Sequence, residues 1–131
     1  MTFGNNLRMT WKTVRLELAS TEGYPRGSAG RAFLLHVPIA SDSRIDRAVI
    51  DRDPSQATVR RFWASEPDSF GIVEPMDGNW ALCCARGAGE TSTFLLEAAP
   101  LKLDGQVKVR QPCGTELPFR IASVRSAGGV P

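Results

Sequence analysis

Apolar and polar residues alternate along much of this chain with a period of two, the spacing of a strand that buries one face. In 11–19, Val14, Leu16 and Leu18 alternate with Thr13, Arg15 and Glu17. The same spacing or a short apolar run returns in 32–37 (AFLLHV), 58–63 (TVRRFW), 70–74, 79–85 (NWALCCA) and 92–97 (STFLLE). Toward the end of the chain, Leu101 and Leu103 lead to Asp104-Gly105, and Val107 and Val109 then alternate with Lys108 and Arg110. The last run, 117–125 (LPFRIASVR), places Leu117, Phe119 and Ile121 on one face.

Turn chemistry separates these runs. Residues 20–31 hold Pro25 and three glycines and read as a loop. Asp77-Gly78 is a hairpin signal, because glycine readily takes the positive φ that tight hairpin turns require. Glu66-Pro67-Asp68 breaks the pattern and reads as a turn. Gly87-Ala88-Gly89 reads as a flexible turn, and Pro112-Cys113-Gly114 as a further one. The stretch 41–57 is the least regular. There Asp46 can cap a short helix through Ala48, Val49 and Ile50 that Pro54 limits, and the rival is a covering loop.

About eight short strands at even spacing, with at most one short helix, predict an all-β fold. A small closed or partly open antiparallel barrel is favoured over a sandwich, because closure removes exposed sheet edges. The expected organisation is a flexible N-terminal segment (1–10), one β domain (11–125) and a flexible C-terminal tail (126–131).

Composition narrows the class without naming a function. The 131 residues suit one domain with an ordinary core, and 42% apolar with 23% charged residues is near the globular average. Sixteen basic against fourteen acidic residues give a net charge of +2, far from the balance of a nucleic-acid binder. The basic residues are mostly arginine, which fits carboxylate or phosphate recognition but also a genome's codon bias. No apolar run has the length of a secretory signal or a membrane span, so the expectation is a cytoplasmic protein with no membrane partner. Three cysteines, two of them adjacent, do not make a disulfide framework.

Few residues offer chemistry. Cys83-Cys84 lacks the spacing that lets two thiolates share a metal ion, so no metal site and no cofactor are expected. Adjacent cysteines on a strand point to opposite faces, and both read as small core residues. Cys113, in its turn, is the exposed thiol, and its reactivity requires a lowered pKa that only Arg110 is near enough to suggest. His36 is the single histidine and faces away from Phe33, Leu35 and Val37. Any Ser-His-Asp or Cys-His mechanism must use it. No G-x-S-x-G elbow, phosphate loop or dinucleotide fingerprint is present. The pairs Glu66/Asp68 and Asp51/Asp53 read as turn formers before they read as acid–base catalysts.

The run Arg60-Arg61-Phe62-Trp63 carries the candidate binding residues Arg60, Arg61 and Trp63. An arginine beside an exposed aromatic can hold a phosphate or stack on a base. The alternative is an amphipathic strand whose aromatics enter the core and whose arginines pair with Glu66 or Asp68.

The strings RLELA (15–19), ATVRRFWASEPD (57–68) and LPFRIASV (117–124) together resemble a family of small uncharacterised bacterial proteins. The resemblance spans about Trp11 to Arg125. It implies a bacterial protein of one compact domain and carries no activity with it.

The function expected on these grounds is a non-catalytic barrel module that binds a protein partner or a small ligand. An enzyme with its site in the barrel mouth, using His36 and Glu66 or Asp68, is the first alternative. Nucleic-acid binding along a stripe of Arg60, Lys108, Arg110 and Arg120 is the second.

Overall fold

The computed structural model describes residues 9–86 and 89–126. The expected flexible ends therefore lie mostly outside the described residues, as do Gly87 and Ala88 of the expected glycine turn. Eight antiparallel strands run up and down in chain order, and the last pairs with the first to close a barrel. They are β1 (Thr10–Leu18), β2 (Ser28–Ile39), β3 (Thr58–Trp63), β4 (Glu66–Met76), β5 (Asn79–Ala85), β6 (Thr91–Leu96), β7 (Gln106–Arg110) and β8 (Glu116–Ser126). Thr10 and Ser126, assigned to the ends from sequence, belong to the first and last strands.

Alternation sends one set of side chains inward from every strand. Val14, Phe33, Val73, Leu82, Leu96, Val107 and Phe119 are among those sealed from solvent. Phe33 meets Phe94 and Phe119 edge-on across the barrel, with ring centroids 5.2 and 5.3 Å apart. Rings from β2, β6 and β8 thus meet in the middle, which fits the rule that eight strands enclose little more than their own side chains. The barrel is filled.

The connection from β2 to β3 closes one end. It contains a one-and-a-half-turn helix, α1 (Arg47–Arg52), whose Val49 N–H donates to Asp46 Oδ1 at 3.3 Å. The short helix capped by Asp46 forms, in place of the rival loop: Val49 and Ile50 face inward from α1 while Ile45 bridges back to Ile39. A second loop, between β6 and β7, joins this plug where Leu101 N–H donates to Ser43 O at 2.7 Å. Leu101 is buried there and Leu103 is exposed, so the apolar lead-in to Asp104-Gly105 anchors a loop rather than a strand.

Two turns decide the register near the open end and its opposite. Asp77 and Gly78 both have positive φ (51° and 79°), as the Asp-Gly signal predicts. The turn between β3 and β4 is only Ala64-Ser65, with Ser65 at φ 73°. Glu66-Pro67-Asp68 is therefore not a turn but the start of β4, which corrects the sequence reading. Proline is tolerated there because the β3–β4 register shifts beside it and β5 pairing begins only at Phe70.

Gly71 fixes how closely β4 and β5 approach. A Cβ at this position would overlap the Cys83 carbonyl oxygen and crowd Cys84. Gly71→Ala is expected to lower unfolding free energy by about 3 kcal/mol or more through forced strand displacement. Urea denaturation checks this, and a loss below about 0.5 kcal/mol would contradict it.

Candidate binding surfaces

The three candidate binding residues do not share one face. Arg60 points outward from β3, while Arg61 and Trp63 point into the barrel mouth. The register pairs Arg61 with the core residue Phe33, and Trp63 packs on the core, its ring centroid 6.4 Å from that of Phe119. The Arg61–Trp63 face is thus not an outer surface, because a strand whose Val59 enters a closed barrel must send residues 61 and 63 the same way. The ion pairs expected of the plain amphipathic strand are present. Arg61 Nη1 lies 3.1 Å from Glu66, and Arg60 Nη2 lies 3.0 Å from Asp68. The expectation that the aromatics enter the core holds for Trp63 only, since Phe62 faces outward beneath Arg60, whose Cζ is 4.5 Å from its ring centroid.

A groove of about 410 Å³ crosses the outer wall of β1 to β4. Its lining includes Thr13, Leu34, His36, Thr58, Arg60 and Phe70. Phe70 is 54% exposed, and Ile72 beside it is 37% exposed. Trp11 stacks on His36 at 4.9 Å. The Arg60 guanidinium lies over Phe62 and over Phe70, the latter at 5.2 Å, so its charge is held beside the apolar floor. His36 Nδ1 is 3.1 Å from the Gln56 carbonyl oxygen. A carbonyl only accepts, so Nδ1 is the donor in this bond.

The groups of the enzymatic alternative meet only in part: Asp68 pairs with Arg60, which lines the groove with His36, but Glu66 does not join them. His36 sits in the groove with Thr13 and Thr58 as its neighbours in register, whereas Glu66 stands at the mouth beside Arg61 and Arg86. Among the described residues no carboxylate hydrogen-bonds to His36, and no cluster of three His, Cys, Asp or Glu could hold a metal ion. The nucleic-acid stripe is also not formed. Arg60 is on β3, while Lys108, Arg110 and Arg120 are on β7 and β8 across the barrel. Arg110 pairs with Glu116 at 3.4 Å, and Arg120 with Asp104 at 3.1 Å and Glu17 at 3.5 Å. Among the described residues, no helix is long and apolar enough to cross a membrane.

The cysteines divide as their positions dictate. All three are free thiols. Cys84 faces inward and burial pushes it up to about 11, against the opposing effects of the Ser69 hydroxyl and the Arg61 charge. Cys83 faces outward and is only partly covered, so it is not the buried core residue expected. Its desolvation and the Glu74 carboxylate, 3.5 Å away, raise its pKa. Cys113 is exposed, and the Thr115 hydroxyl and backbone N–H lower its pKa by donating to the thiolate. The cause is Thr115 rather than Arg110.

Sequence reasoning missed Leu34, Phe70, Tyr24 and Arg31. Leu34 was reachable, since it shares the outward parity of His36. Arg31 was hidden because 20–31 reads as a loop, whereas β2 begins at Ser28 and places Arg31 on the inward parity of Phe33.

The chain matches no protein-family model, no curated protein and no solved structure.

Thiol alkylation follows from these environments. Cys113 should react first with iodoacetamide, with a midpoint in its pH–rate profile below that of a free cysteine. Thr115→Val should move that midpoint upward, because the hydroxyl that favours the thiolate is gone. Mass spectrometry of the labelled protein checks the order, and Cys84 reacting first in the folded protein would contradict it.

Proposed function

We propose that this protein is a non-catalytic binding module that recognises a protein partner through the outer wall of β1 to β4. One observation carries the reading: an apolar groove and two exposed large apolar side chains, Phe70 and Ile72, lie together on a barrel whose interior is filled. A ligand carrier of this strand number needs an empty lumen, and here Phe33, Phe94 and Phe119 occupy it. Within the wall of β1 to β4 each strand is paired along both sides, so recognition there falls to outward side chains.

The groove's chemistry favours a partner side chain that is apolar with an adjacent acidic or carbonyl group. Leu34 and Phe70 supply the floor, and Arg60 and the Trp11–His36 stack supply the polar margin. Aromatic and arginine residues at the centre of a patch are where interface energy concentrates. The Arg60–Asp68 pair is exposed and worth at most about 1 kcal/mol, so a partner's carboxylate can compete for that arginine. A cytoplasmic, bacterial setting remains the expectation from the sequence, and this reading does not depend on it.

Replacing Phe70 by the photo-crosslinker p-benzoyl-phenylalanine in expressing cells tests the reading. The expected result is a discrete adduct at position 70 and none with the crosslinker at Lys108 on the opposite wall. Ile72→Asp in the same chain should reduce the yield several-fold. Equal adduct patterns from positions 70 and 108, or none from either, would refute the outer wall as the recognition surface.

A further inference from the structure

The mouth of the barrel, at the end opposite α1, carries charged groups that the outer groove does not use. On the inner face Arg31 pairs in register with Trp63, and Arg61 with Phe33. The two guanidiniums alternate with aromatic rings. Arg31 Cζ lies 4.5 Å from the Tyr24 ring centroid and 5.9 Å from that of Trp63. Arg61 Cζ lies 4.3 Å from Trp63 and 4.9 Å from Phe94. The sequence across the mouth is ring, cation, ring, cation, ring.

Stacking fixes both planar groups in place but does not neutralise them. The Arg61 side chain is only 12% exposed, and the Nε of each arginine is buried without a hydrogen-bond partner among the described residues. Among the described residues, Glu66 is the one carboxylate that reaches this stack, 3.1 Å from Arg61 Nη1, and Arg86 shares it at 3.8 Å. Arg31 Nη1 donates to Ser28 Oγ at 3.2 Å and, among the described residues, has no acidic partner. Two cations partly removed from water therefore share the mouth with a single divided counter-charge. Such an imbalance is costly and is relieved by an anion. The Glu66 carboxylate already shows which kind of anion the stack accepts. Guanidiniums held rigid on ring faces are pre-organised for planar, forked recognition of carboxylate or phosphate.

We infer that the barrel mouth is a binding site for the oxyanion of a small organic acid, a carboxylate or a phosphate. Arg31 is its principal ligand and Arg61 its second, and the acid's apolar body lies against the Tyr24 ring, which is 37% exposed. Glu66 competes with the ligand for Arg61. This site is separate from the outer groove, and its existence does not depend on the partner proposed there.

The test is an NMR titration of the whole protein that follows the Trp63 indole N–H and the arginine Nε–H signals. The probes are phenyl phosphate, benzoate and inorganic phosphate, with benzyl alcohol as the neutral control. Saturable shifts with phenyl phosphate or benzoate, and none with benzyl alcohol, are expected. The tighter of the two anions identifies the source of the oxyanion, and equal affinity supports the shared chemistry. Arg31→Gln should weaken binding by about tenfold, the loss of one charge-assisted contact. Arg31→Lys, which keeps the charge but not the fork, should weaken it less and serves if Arg31→Gln does not fold. Glu66→Gln should tighten binding, whereas Arg47→Gln on α1 should change nothing. No saturable shift up to about 50 mM, unchanged binding in both Arg31 variants, or weaker binding in Glu66→Gln would overturn the assignment.

Discussion

Closure of the sheet by the β1–β8 pairing is the constraint on which the rest of the molecule depends. Lys12 to Leu18 pair with Ser126 back to Phe119, with one register shift between Arg15 and Leu16. That seam joins the two ends of the described chain and leaves neither terminal strand with a free edge. Once the sheet is closed, every side chain must go inside, outside or to an end. With eight strands the inside holds little more than side chains. Phe33, Phe94 and Phe119 meeting across the axis complete the filling. Recognition is left to the outer wall and to the mouth, because α1 and Leu101 occupy the other end.

A one-residue step separates the two surfaces. Arg60 and Arg61 are neighbours in sequence, yet the pleat sends one to the outer groove and the other above the core. Their environments differ accordingly. Arg60 is nearly half exposed and pairs with Asp68, an arrangement worth little in water. Arg61 is only 12% exposed, lies between Trp63 and Phe94, and has a buried Nε with no partner among the described residues. The same charge is therefore a weak surface contact in one residue and a strongly felt one in the next. The neighbouring Cys84 thiol shows how dry this region is: burial outweighs the nearby positive charge and keeps it protonated.

Much of this fold was legible in the sequence because period-two alternation is a direct readout of a half-buried strand. The runs containing Val14, Phe33, Val59, Leu82, Phe94, Val107 and Phe119 all became strands, and Val14, Phe33 and Phe119 face inward as their alternation indicates. Asp77-Gly78 and the Asp46 cap were legible for the same reason, since local backbone chemistry determines them. Pro67 misled because proline marks a turn only when its missing N–H would be needed, and here it sits beside a register shift. The site was less legible. Trp63 looked available for contact, and its inward placement depends on closure, which no short segment encodes. Arg31 and Tyr24 come together with Trp63 only through the path of the β1–β2 loop over the mouth.

The central claim is that binding takes place outside a filled barrel, and one measurement tests it most directly. The fluorescent apolar probe anilinonaphthalene sulfonate can be titrated into methyl-labelled protein while intermolecular NOEs are recorded. The account predicts NOEs from the probe to the outward Leu34 and Ile72 methyls at the groove. It predicts none to the inward methyls of Leu16, Leu82, Val107 and Ile121, which have no solvent access. NOEs to those inward methyls in the folded protein would mean that the lumen admits a ligand, and the account of an outer recognition surface would be wrong.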